Sequence, residues 1–105
     1  MEQSNNREKY LEILRVRNIA CISAECAVSD LGAEAPRPSF ARLLIVSYMS
    51  NRGYSPIEIS SASSVGRDKI EENIIKYNAL KEKYEGFRRL EANFLKKMDI
   101  CCAKI

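Results

Sequence analysis

The stretch Ser55-Pro56-Ile57-Glu58-Ile59-Ser60-Ser61-Ala62-Ser63-Ser64-Val65-Gly66-Arg67-Asp68-Lys69-Ile70 decides the fold. It predicts a short helix over about residues 56–63, a tight turn at Ser64-Val65 and the start of a second helix. The start signal is complete. Ser55 offers a hydroxyl acceptor at the N-cap, Pro56 stands at N1 where a missing N–H costs nothing, and Glu58 at N3 can reach back to close a capping box. Ile59, Ala62, Val65 and Ile70 fall where two helices joined by a turn need small or apolar residues between them. The layout is that of a helix-turn-helix, which presents its second helix to the major groove of duplex DNA. Motif and function are separate claims, because such folds also occur without a DNA-binding role.

The flanking segments predict further helices. Tyr10, Leu11, Ile13, Leu14, Val16, Ile19 and Ile22 recur at helical spacing between about Arg7 and Cys26, with residues 1–6 polar and expected to fray. Residues 27–38 hold Ser29, Asp30, Gly32, Pro36 and Pro38 and read as a loop. A second helix is expected over about residues 39–52, ended by Gly53 as a left-handed cap. Phe40, Leu43, Leu44, Ile45, Val46, Tyr48 and Met49 make it apolar on most faces, which places it at the centre of the molecule.

Beyond the motif, Ile70, Ile74, Tyr77, Leu80, Tyr84, Phe87, Leu90, Phe94 and Met98 form one apolar stripe. A single helix over residues 67–98 would be about 48 Å long, against a radius of gyration near ~13 Å for a domain of this length. The stripe therefore predicts two helices with a bend near Asn78–Glu82 or at Gly86. A single rod would have to pack its far half on a partner subunit. No strand signal appears, so the expected fold class is all-α, about five helices around a central helix-turn-helix in one domain.

Composition bounds the function. At 105 residues, 46% hydrophobic and 30% charged, the chain is a globular domain with a single core. No apolar run approaches the ~18 residues of a membrane span, and no secretory signal precedes the first helix, so a cytoplasmic protein is expected. There is no histidine, which removes the usual general base. No phosphate-cradling glycine loop appears, and no cysteine is paired with a base. An enzyme, a cofactor and a small-molecule substrate are not expected. The four cysteines, Cys21, Cys26, Cys101 and Cys102, lack zinc-site spacing and read as reduced thiols without metal. Cys21 and Cys26 read as small hydrophobes in an apolar helical stretch. Charge is uneven: residues 1–36 carry four Lys/Arg and six Asp/Glu, while residues 37–105 carry thirteen and eight. The basic excess lies with the motif, as phosphate binding would require.

The order of a capped helix after Ser55, then Val65-Gly66-Arg67-Asp68, an Ile-rich helix and Lys83-Tyr84-Glu85-Gly86-Phe87-Arg88 resembles the C-terminal DNA-binding domain of the bacterial replication initiator DnaA. The resemblance covers about residues 37–98 and includes the Ala41-Arg42 step into an apolar helix. It implies a Trp-repressor-like helical fold that binds a short duplex site through its second motif helix. Arg67 and Asp68 match the family signature, which continues His-Thr-Thr where this chain has Lys69-Ile70-Glu71. No Walker signature is present, so the chain is not a whole initiator.

The expected DNA-contacting set is Arg37, Arg42, Arg67, Asp68, Lys69 and Lys76. Arg67 can meet a phosphate or a guanine edge, and Arg37 and Arg42 can follow the backbone or enter a minor groove. Glu71 and Glu72 oppose phosphate on or beside the same face. Tyr77, Tyr84, Phe87 and Phe94 read as core, and Arg88, Arg89, Lys96 and Lys97 as a solvated face. The alternative function is a helical interaction protein, a homodimer through its last helix, that keeps the fold without binding DNA.

Overall fold

A computed structural model describes the backbone of residues 2–103 and the side chains of residues 7–99. The order is α1 (Glu2–Ala24), a 3-10 turn (Val28–Asp30), α2 (Pro36–Asn51), α3 (Pro56–Ser63), a second 3-10 turn (Arg67–Lys69), α4 (Ile70–Lys83) and α5 (Glu85–Ala103). The expected all-α architecture of five helices is what forms, with no strand among the described residues.

α2 is the axis of the molecule. Ala41, Leu43, Leu44, Ile45, Val46 and Met49 are all 0% exposed, because α1, α3, α4 and α5 pack around this one helix. α2 begins at Pro36, ahead of the expected start at Ser39. Both prolines fit because the first turn of a helix has no intrahelical acceptors for its N–H groups. The first helical bond runs from the Ser39 N–H to the Ala35 carbonyl at 3.0 Å. At the far end Gly53 takes φ +84°. The Tyr54 N–H then reaches the Met49 carbonyl and the Gly53 N–H the Ser50 carbonyl, both at 3.1 Å. This pair of bonds is a Schellman cap.

α1 starts at Glu2, ahead of the expected Arg7, and ends at Ala24. Val16, Ile19, Ala20, Cys21 and Ala24 are its contribution to the core. The long apolar stripe breaks once, at Tyr84, whose extended backbone (φ −118°, ψ 113°) separates α4 from α5. Tyr84 lies between the two expected bend positions, and Gly86 falls inside the first turn of α5. The break makes Tyr84 an exception to its stripe: it is 59% exposed, whereas Tyr77, Phe87 and Phe94 are buried. Phe87 meets Phe40 at a tilt and Tyr77 edge-on, both at 5.7 Å, and Phe94 meets Tyr48 edge-on at 5.7 Å. The apolar face of α5 is thus covered by its own chain, which gives a radius of gyration of 13.2 Å in place of a rod. The side chains of Cys101 and Cys102 lie outside the described residues.

Candidate functional site

The junction of α3 and α4 is built from local hydrogen bonds. The Ser55 hydroxyl accepts from the Glu58 N–H at 3.3 Å, and the Glu58 carboxylate accepts from the Ser55 N–H at 2.9 Å. The expected capping box is therefore complete. At the other end of α3, the buried Ser63 hydroxyl donates to the Ile59 carbonyl at 2.7 Å and accepts from the Val65 N–H at 3.2 Å. Ser64 between them is left-handed, at φ 63°. One residue in that region reverses the chain and turns the buried Val65 back onto the core. Ile59, Ala62, Val65 and Ile70 are all buried, as their spacing predicts.

The turn delivers Arg67, Asp68 and Lys69 to the surface ahead of α4. Arg67 is exposed and makes no hydrogen bond or ion pair among the described residues. Asp68 folds back over its own turn, with one carboxylate oxygen 2.9 Å from where a Cβ on Gly66 would sit. Lys69 pairs with Glu72 at 3.6 Å, both side chains well exposed. Glu71 and Glu72 occupy the first turn of α4, where no side chain caps the helix. Carboxylates there complement the positive end of the helix dipole.

Lys69, Glu72, Asn73 and Lys76 line one depression along α4. Lys76 also borders a second depression with Glu34, Ser39 and Arg42. The fold therefore brings Lys69, Lys76 and Arg42, from α4 and α2, into one continuous tract. Arg42 is only half free. Its Nη1 donates to the carbonyls of Leu31 at 2.6 Å and Ala33 at 2.8 Å, which holds the loop between α1 and α2 in place. Arg37 is 3.8 Å from Glu25 and borders a further depression with Cys26, Ala27 and Pro36, which meets the Arg42–Lys76 depression at Ala35 and Pro36.

Sequence reasoning missed Asn73. Its Oδ1 is buried and unpartnered among the described residues, beside Lys69 and Lys76. The available signal was spacing: residues 69, 73 and 76 follow the i, i+4, i+7 rule that puts side chains on one helical face. Ile75 was also missed and is 66% exposed on α4.

Among the described residues, no group of three or more His, Cys, Asp or Glu gathers as a metal site. Likewise, no helix among them is long and apolar enough to cross a membrane. Comparison with family models, curated proteins and solved structures finds no match to this chain.

Proposed function

We propose that this chain binds duplex DNA as a helix-turn-helix protein, with α3 as the supporting helix and α4 as the helix that enters the major groove. The observation that carries the reading is the tract at the start of α4. Arg67 and Lys76 are exposed without partners, one at the turn before α4 and the other along it. An arginine can meet a guanine edge or a phosphate, and a lysine a phosphate. The preceding turn is held by Ser63 rather than by a flexible loop, so these groups are presented on a fixed frame. The resemblance to the DnaA DNA-binding domain over residues 37–98 belongs to the same proposal, as do the Trp-repressor-like topology and a cytoplasmic, replication-associated or regulatory setting.

Salt-titrated binding to random-sequence duplex tests this reading. Log K should fall against log salt with a slope of about −0.9 per phosphate neutralised. Arg67→Ala should weaken binding and, if it meets a phosphate, flatten the slope by about one contact. Glu72→Gln frees Lys69 and should strengthen non-specific binding. Absence of duplex binding at low salt would overturn the proposal.

A second reading is favoured by Ile75. A large apolar side chain 66% exposed between Glu71, Glu72 and Lys76 suits a protein partner better than a phosphate backbone. A homodimer could not use Phe87 or Phe94, since both are buried within the chain. It would use Ile75, Tyr84 or Leu95, and Ile75→Asp should then dissociate it without loss of helical content.

A further inference from the structure

We propose that Cys21 and Cys26 form a redox-active dithiol, which a hydroperoxide oxidises to an intramolecular disulfide across the C-terminal cap of α1. The geometry comes from the backbone. Glu25 is left-handed at φ 59°. The Cys26 N–H donates to the Cys21 carbonyl at 2.9 Å and the Glu25 N–H to the Ile22 carbonyl at 3.1 Å. These are the two bonds of a Schellman motif with Cys21 at C3 and Cys26 at C″, the two positions whose side chains such a cap brings together. In such caps these positions frequently hold two hydrophobes, but here they hold two thiols. Both are free cysteines.

The two sulfurs differ in access. Cys21 is 1% exposed, and burial, reinforced by the neighbouring Cys26, pushes its thiol up to about 12. Cys26 is half-buried and lines the depression bordered by Ala27, Ala33, Pro36 and Pro38. A peroxide therefore meets Cys26 first. Its thiolate attacks one peroxide oxygen: an S–O bond forms, the O–O bond breaks, and the departing oxygen takes a proton to leave as alcohol or water. Cys26 is now a sulfenic acid. The Cys21 sulfur attacks the Cys26 sulfur, the S–S bond forms and the S–O bond breaks. The hydroxide leaves as water with the Cys21 proton. Two thiols and one hydroperoxide give one disulfide, one alcohol (or water) and one water.

Peptide mapping after peroxide treatment tests this. Trypsin cuts after Arg17 and Arg42 and spares the Arg37–Pro38 bond, so both cysteines fall on one peptide, 18–42, apart from Cys101 and Cys102. The reduced, folded protein is treated with equimolar hydrogen peroxide, alkylated in denaturant and digested. The expected peptide is unalkylated, lighter by two hydrogens and restored to two alkylatable thiols by dithiothreitol. Cys21→Ala, checked for unchanged helical content, should instead leave Cys26 as a sulfenic acid, which a second equivalent of peroxide carries to the sulfinic acid and glutathione to a mixed disulfide. In Cys26→Ser, Cys21 should stay a thiol. The proposal is overturned if wild-type peptide carries an over-oxidised or glutathionylated Cys26 beside an alkylatable Cys21. It is equally overturned if both thiols survive the peroxide.

Discussion

Ser55 and Glu58 illustrate how much one pair of side chains can decide. Each satisfies the other's backbone N–H, and together they fix where α3 begins. Ser55→Ala should lower stability by about 0.5–2 kcal/mol in urea denaturation. Glu58 adds a pH dependence. The backbone N–H of Ser55, and then Lys9 at 2.9 Å, hold its carboxyl below the ordinary value of 4.5. A depressed carboxyl contributes stability that is fully present above its unfolded value and is lost as pH falls through its folded one. Glu58→Gln should therefore flatten the acid limb of the urea midpoint against pH. This pair was legible because its spacing is local. Ser64 was legible only as a turn position, since nothing about a serine announces a left-handed backbone. Arg42 was read as a nucleic-acid contact, yet its guanidinium also holds two loop carbonyls, which no spacing rule reveals.

At the scale of elements, α4 and α5 are clamped by a small polar cluster. The Tyr77 hydroxyl donates to the Glu91 carboxylate, and Lys81 reaches the same carboxylate at 3.3 Å. Glu91 is buried, so the phenol is one of the few groups that compensate its desolvation. Tyr77→Phe should cost about 1–3 kcal/mol, the penalty of a buried acceptor deprived of a donor. Burial first, and then Glu91, raise the Tyr77 phenol above its ordinary 10.0. A raised phenol contributes stability that is present below pH 10 and lost as pH rises beyond it. The same variant should therefore soften the alkaline limb of the denaturation profile. The periodicity of residues 70–98 made both helices legible, and the length argument required the break. The break falls at Tyr84 because Arg88 donates to the carbonyls of Lys81 at 2.9 Å and Glu82 at 3.2 Å, capping α4 from the next helix. An arginine acting six or seven residues upstream leaves no turn signature at the turn itself.

Across the whole molecule, the acidic and basic portions of the sequence interleave once folded. Glu12 accepts from Arg52 at 2.7 Å and from the Tyr54 hydroxyl, binding α1 to the cap of α2. That link spans some forty residues, so periodicity and local motifs carry no trace of it. Such pairings set acidic side chains of α1 against basic ones later in the chain, whereas Arg67 and Lys76 make none. The position of α2, by contrast, was plain from its apolar faces alone. Its enclosure has a consequence for the order in which the molecule opens. Amide protons on a helix covered from every side exchange with solvent only when the whole domain unfolds, whereas those on outlying elements exchange through local opening. In deuterium oxide the N–H groups of Leu43 to Val46 should be the slowest to exchange. Their protection should match the global unfolding free energy and fall one for one with it in Ser55→Ala and Tyr77→Phe, so that α2 acts as the molecule's internal gauge of its own stability.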